Sequence, residues 1–386
     1  METGCKKIGD FLPKKNECGS YKKFGYNNPI VMKEEKFTAV DLFAGAGGWS
    51  LGLEMAGIRN SGMYDIDKSS CKTALHNFGS NVFCLDLSKE HPRKLPKGTR
   101  IVVGSPPCQG FSNEGKKDPR DPRNNLVWVF FDIVRKLNPD VWIFENVPGF
   151  KRLHNGVFYD MLIERIENTN YNYKTFLLGA ENYGVPQKRK RFFAIGSNKF
   201  VPSIPEMTHG ENLLASKKTV TLWEAISDLP SVGIGERIGK FNYDSKPANA
   251  YQAWVREKSD AVYNHTTQKH SERVLEKIRT VPNGKGMCQL VGRYDENKTH
   301  YCGGYRRAVK DKPSYTVYWT RGMTSIHPEQ DRFLSPRECA RLQSFPDRFV
   351  FKGATIENYT QIGNAVPPLV AKAFGESVIR SLENLS

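Results

Sequence analysis

From Phe37 onward, short apolar runs alternate with stretches of helical period, the pattern of a repeated βα unit. Phe37 to Phe43 reads as a first strand, Gly62 to Ile66 as a second and Val82 to Leu85 as a short third, with Lys68 to Phe78 helical before it. Ile101-Val102-Val103 and Val141-Trp142-Ile143-Phe144 are apolar throughout, as strands are when helices cover both faces of a parallel sheet. Leu126 to Leu137 and Phe158 to Glu167 have helical periodicity, and Tyr173 to Leu178 and Phe192 to Gly196 read as further strands. The expected fold class is α/β, a doubly wound and mostly parallel sheet with helices on both faces.

Near residue 200 the alternation stops. Prolines, glycines and aromatics interleave as far as about residue 334, which predicts a second, smaller domain. Beyond it, Ser335 to Arg341 predicts a short helix with Ser335 as cap and Pro336 in its first turn. Leu369 to Ile379 predicts an amphipathic helix that rejoins the first domain beside the first strand. Residues 1–36 carry lysine pairs and few periodic apolar positions. They read as a basic, partly disordered extension, either touching nucleic acid or simply solvated. The expected division is 1–36, 37–199, 200–334 and 335–386.

Composition narrows the class. A chain of 386 residues can bury a full core, and it has no apolar run long enough to span a membrane. The polar start, Met1 to Lys7, lacks the apolar middle of a signal peptide, so a cytoplasmic protein is expected. Eight scattered cysteines with no C-x-x-C pair favour reduced thiols over zinc or disulfides, and no metal is expected. The 57 Lys+Arg against 41 Asp+Glu leave a net charge of +16, which favours a polyanionic partner, most simply nucleic acid.

The candidate chemistry sits where predicted strands end. The first strand runs into Phe43-Ala44-Gly45-Ala46-Gly47-Gly48, a glycine turn opening a helix, which permits close approach of a ligand to the backbone. A dinucleotide fingerprint would need glycine at position 50, where Ser50 stands, so a nicotinamide cofactor is disfavoured. The second strand ends in Asp65-Ile66-Asp67 and the third at Asp86. Carboxylates at successive strand ends suit an adenosine moiety, or else cap helices. Gly104-Ser105-Pro106-Pro107-Cys108-Gln109-Gly110-Phe111-Ser112 stops a buried strand with two prolines and holds a thiol at its carboxyl end. By itself such a cysteine is more often a small buried hydrophobe. Asn113 to Asn125 is almost wholly polar and must be a surface loop. Glu145 follows the strand 141–144 and shares a rim with Cys108. In Gln187-Lys188-Arg189-Lys190-Arg191 the first, third and fifth residues share one face, suited to phosphate or carboxylate, or lying on a solvated edge strand.

Taken together, DLFAGAGG, SPPCQGFS, ENV, QKRKR, RECARLQSFPD and GNAVPP stand in an order that resembles the C5-cytosine DNA methyltransferases. The resemblance covers roughly residues 37–199 and 333–380, and the segment between fits that family's variable target-recognition region. It implies a class I, Rossmann-like methyltransferase fold, S-adenosylmethionine as cofactor and double-stranded DNA as partner. Cys108 would attack C6 of a flipped-out cytosine, Glu145 would act at N3, and Arg189 and Arg191 would hold the base and flanking backbone. Phe43, Ala44, Gly45, Gly47 and Gly48 would line the cofactor, with Asp65 on the ribose and Asp86, beside Leu87, at the adenine amine. Ile66, Pro107, Leu126, Asn364 and Ala365 would complete that pocket, Ile66 replacing the aromatic residue of some members. A monomer is expected, and a cognate restriction endonuclease is an open association. The tRNA-cytosine branch of the family usually continues Pro-Phe-Thr after its nucleophile motif, where this chain has Gly110-Phe111-Ser112. A DNA-binding relative without catalysis would show erosion of these motifs, and none is seen.

Overall fold

The computed structural model describes residues 37–90, 96, 99–107, 125–152, 156–210, 216–237, 240–286, 305–318 and 324–385. The basic extension 1–36, Cys108 and the loop to residue 124 lie outside the described residues. Seven strands form one sheet: β1 (Thr38–Leu42), β2 (Arg59–Asp65), β3 (Val82–Cys84), β4 (Ile101–Gly104), β5 (Val141–Asn146), β6 (Asn172–Gly179) and β7 (Lys190–Ser197). Between them run α1 (Gly48–Met55), α2 (Lys68–Phe78), α3 (Leu126–Leu137) and α4 (Val157–Glu167). The rest of the chain adds α5 (Leu222–Ile226), β8 (Lys240–Phe241), α6 (Ala250–Val255), β9 (Val262–Tyr263) and α7 (Glu272–Thr280). Last come α8 (Pro336–Leu342), α9 (Thr355–Asn364) and α10 (Pro368–Glu383).

The spatial order is β3-β2-β1-β4-β5-β7-β6, so the winding reverses between β1 and β4. In open α/β sheets a ligand crevice lies at such a switch point, outside the carboxyl ends of the strands. Those ends are Leu42 and Gly104, paired in register, and the glycine turn and the SPPC segment follow them directly. Within this sheet all pairings are parallel except those of β7, which runs antiparallel to both β5 and β6.

Strand residues alternate between two cores, as their period of two requires. Ala39, Val103, Ile143 and Ile195 meet Trp49 and Leu53 of α1 and Val370, Phe374 and Val378 of α10. Val40, Leu42, Val102, Trp142 and Phe144 meet Phe130 and Val134 of α3 and Leu162 of α4. The tail helix therefore rejoins the first strand's layer, as the sequence predicts, though it is longer than its apolar period suggests. Full burial of a side chain such as Phe374 is worth roughly 1.5–3 kcal/mol. β5 also outlasts its apolar run, because Glu145 and Asn146 pair with Phe193 and Phe192 of β7.

Between residues 200 and 334 the elements are short, and regular βα alternation is absent from the described residues. Leu222, Ile226, Tyr251, Val255 and Val317 share an apolar cluster with Cys339, Phe345 and Ile362, and with Leu51 of α1. Beneath it lies a buried ionic lattice. Arg341 reaches Asp347 through Nε and Nη2 at 2.9 and 2.6 Å and also pairs with Asp228. Arg332 takes Glu338 at 2.8 and 2.7 Å, while Ser335 and Glu338 form the capping box that starts α8. Burial alone would raise the Glu338 carboxyl, but Arg332 outweighs it and holds the group well below the usual carboxylate range. Such pairs add little net stability over apolar packing, but their fixed geometry allows one arrangement of the elements they join.

Candidate active site

The turn after β1 is held in an uncommon conformation. Phe43, Gly45 and Gly47 have φ of 57, 55 and 99°, all in the left-handed region. Glycine adopts it freely, but an aromatic residue there is strained, and such strain collects at ligand sites. Two acids fix the turn. Asp65 Oδ2 accepts the Gly45 N–H at 2.7 Å, and its Oδ1 accepts that of Asp67 at 2.8 Å. Burial pushes the Asp65 carboxyl up from its ordinary value, against the pull of these bonds. Asp41, inside β1, accepts the Ser50 N–H and Oγ at 3.2 and 2.8 Å, and burial raises it to about 7. Asp65 is not the cap of α2; Asp67 is, accepting the Ser70 N–H at 2.7 Å. Asp86 accepts Ser88 Oγ–H and N–H at 2.6 and 3.0 Å, and these bonds, with Lys89 beside it, outweigh its desolvation and hold it below its ordinary value.

Around this turn the candidate pocket residues fall on successive strand ends. Ile66 is 64% exposed, an apolar face with little covering it. Leu85 N–H bonds Asp65 O at 2.9 Å, which sets the end of β3, and so Asp86, beside the end of β2. Space above Gly45 is open, whereas a Cβ on Gly48 would come within 2.2 Å of Val366 O and 3.2 Å of Ala365 Cβ. Glycine at 48 therefore lets the turn 364–366 close on the start of α1. Ala365 is buried and Asn364 exposed, Leu87 is part of the α3-side core, and Leu126 begins α3 half-buried.

The second group of residues gathers at the adjoining strand ends. Ser105 Oγ accepts the Trp49 indole N–H at 3.0 Å, and the carboxamide of Asn146 donates to Pro106 O at 3.3 Å. The SPPC turn is thereby tied on one side to α1 and on the other to β5, up to the exposed Pro107; Cys108 itself lies outside the described residues. Glu145, next to Asn146, is 6% exposed and pairs with Arg191, Nε to Oε1 at 3.2 Å. Burial pulls Arg191 down from its ordinary value and Glu145 pulls it partly back. Arg189 is fully buried, and its Nη2 donates to Gly363 O and Ala365 O at 2.9 and 3.1 Å. Its Nε and Nη1 are buried with no hydrogen-bond partner among the described residues. Burial lowers Arg189 well below its ordinary value, as does neighbouring Arg191, while Glu145 opposes them.

The structure thus brings Glu145 and Arg191 together, and joins Arg189 to Ala365 and Gly45 to Asp65. Sequence reasoning missed the tethers Trp49, Ser105 and Asn146. Only their places inside the motifs, an indole and two small polar groups beside glycine and proline, could have pointed to them.

Asp65→Ala removes the Gly45 anchor together with the ribose contact that the family resemblance implies, and is expected to weaken S-adenosylmethionine binding by about 1–3 kcal/mol. DNA affinity without cofactor should change little. Calorimetry with purified protein checks both, and unchanged cofactor affinity would remove Asp65 from the pocket.

Known proteins resemble this chain in sequence and in fold. A family model of the C-5 cytosine-specific DNA methylases matches residues 37–380. The type II methyltransferase M.DdeI of Desulfomicrobium norvegicum is 32% identical over 371 residues, covering 90% of this chain and 89% of that protein. The type II methyltransferase M1.HphI of Haemophilus parahaemolyticus is 34% identical over 361 residues, covering 90% and 88%. Among solved structures, a prophage-encoded Escherichia coli protein described as a DNA modification methyltransferase superposes with a TM-score of 0.72. At 24% identity, covering 90% of this chain and 99% of that one, it supports the fold.

Proposed function

The chain belongs to the C-5 cytosine-specific DNA methylases, and on that premise we propose that it methylates C5 of a cytosine flipped out of a specific double-stranded DNA site, through a covalent bond from Cys108 to C6. The methyl donor of the family is S-adenosylmethionine, and the residues present fit it. Open space over Gly45, the exposed Ile66 and the acids Asp65 and Asp86 stand at adjoining strand ends, with Ala365 and Val366 closing over Gly48 directly after Asn364. When bound, the donor supplies an electrophilic methyl carbon.

The observation that carries the reading is the pair of tethers on Ser105 and Pro106. They fix the turn leading to Cys108 beside the strand that presents Glu145. Cytosine C5 is a poor nucleophile, so the ring must first be activated. The Cys108 thiolate forms a bond to C6, the C5–C6 π pair shifts to make C4–C5 double, and the C4–N3 π pair moves to N3, which leaves an enamine with a nucleophilic C5. Glu145 delivers or shares a proton at N3, and Arg191 holds that carboxyl in place. Methylation at C5 leaves the donor as its thioether; a base then takes the C5 proton, the C6–S bond breaks to restore the C5–C6 double bond and the thiolate, and the N3 proton returns to Glu145. The Nε and Nη1 donors of Arg189, without a partner among the described residues, support a role toward an acceptor of the base or its backbone, since buried donors are seldom left unpaired. Extracting the base from the stack costs roughly a few kcal/mol, offset by phosphate contacts from a chain of net charge +16.

The segment 200–334 is read as the target-recognition region, and the extension 1–36 as either touching nucleic acid or simply solvated. The chain is read as acting alone on DNA in the cytoplasm; among the described residues no helix is long and apolar enough to cross a membrane. Incubating the purified protein and S-adenosylmethionine with unmethylated plasmid, followed by bisulfite sequencing, should show protected cytosines at one recurring site. Methylation at an exocyclic nitrogen, or none on DNA, would overturn the reading.

A further inference from the structure

The last carbonyls of a helix have no partner within it, and when the helix end is buried something else must supply the donors. Helix α9 ends at Asn364, inside the closing turn of the cofactor pocket. Gln343 supplies two of those donors: its Nε2 bonds Ile362 O at 2.8 Å and Ala365 O at 3.0 Å. Arg189 Nη2 donates to Gly363 O at 2.9 Å and to Ala365 O at 3.1 Å, so the Ala365 carbonyl accepts from two side chains. Gln343 is fully buried, and its Oε1 accepts Nε2 of the equally buried Gln187 at 2.6 Å. That bond fixes which way the Gln343 amide faces. Gln187 is oriented in turn, since its Oε1 accepts the Val317 N–H at 2.7 Å and its Nε2 also reaches Leu342 O at 3.1 Å. Ser314 reinforces the join by pairing with both Pro186 and Lys188 through its backbone, at 2.9 and 2.8 Å.

We propose that Gln343 and Gln187 are positioning residues for the methyl-donor pocket, acting in series to seat Asn364 and Ala365 from the segment 314–317. The inference rests on the reading that Asn364 and Ala365 line that pocket. Neither glutamine is placed among the reacting groups. Their effect should therefore fall on cofactor affinity and leave the chemical step alone.

The test is calorimetry of the full chain with S-adenosylhomocysteine, the demethylated donor, without DNA. Gln343→Met keeps the volume but gives up the donors to α9, and should raise Kd about tenfold, as should Gln187→Met. Because the two act in series, the double variant should also lie near tenfold, whereas independent effects would give about a hundredfold. On unmethylated plasmid, KM for S-adenosylmethionine should rise while kcat at saturation stays within about threefold. Thermal melting confirms folding, and if Gln343→Met does not fold, Gln187→Met decides at the far end of the series. Unchanged Kd in a folded variant, additive effects, or a loss confined to kcat would overturn the proposal. Asn364→Ala separates the two readings. If it weakens binding and the glutamine variants do not, only this inference fails; if it has no effect, the pocket assignment fails and takes the inference with it.

Discussion

Cys108→Ser is expected to abolish methyl transfer while leaving DNA binding largely intact. A hydroxyl is far less acidic than a thiol, whose free pKa is ~8.5, and at neutral pH it offers no comparable nucleophile. The substitution is nearly isosteric. The turn leading to it is held by Trp49 on Ser105 and Asn146 on Pro106, so the backbone should stay where it is. The matching positive experiment uses DNA carrying 5-fluorocytosine at the target. Fluorine cannot leave C5 as a cation, so the ring cannot regain its double bond and expel the thiolate. In the presence of cofactor the wild-type protein should then appear on a denaturing gel as a protein–DNA band that is missing for Cys108→Ser. A serine variant that still methylates C5, or an active wild type that forms no adduct, would refute the covalent route.

Glu145→Gln should lower turnover by roughly 10²–10⁴-fold, the range for losing a general acid. The carboxamide fits the same space in β5 but delivers no proton to N3. It also leaves Arg191, whose Nε pairs with Glu145 at 3.2 Å, facing a neutral group. Single-turnover kinetics at saturating DNA and cofactor isolate the chemical step. A variant turning over at the wild-type rate would show that Glu145 only anchors the arginine.

Much of this architecture is legible in the sequence. The predicted helices Lys68–Phe78 and Leu126–Leu137 coincide with α2 and α3, because periodicity and flanking breakers mark both ends. The apolar runs of β4 and β5 announce strands covered on both faces. Their neighbours are another matter: an apolar strand reads the same in either direction, so nothing in 192–196 says that β7 is antiparallel. Glu145 reads as lying beyond its strand, since the pairing that continues β5 comes from a partner about fifty residues away. The motifs locate Gly45, Asp65, Arg189 and Ala365 near a site, but do not say which groups they touch. Arg189 and Arg191 share a face of one segment, yet the first serves the carbonyls of 363 and 365 and the second a carboxylate. That distinction depends on folding together parts of the chain some 175 residues apart.

The contact between α1 and α10 also bears on folding order. Gly48 and the residues that close over it, Ala365 and Val366, stand far apart along the chain. Bringing such distant segments together costs loop-closure entropy, so β1 and α1 are expected to pair with their near neighbours first and to gain the cover of α10 late in refolding.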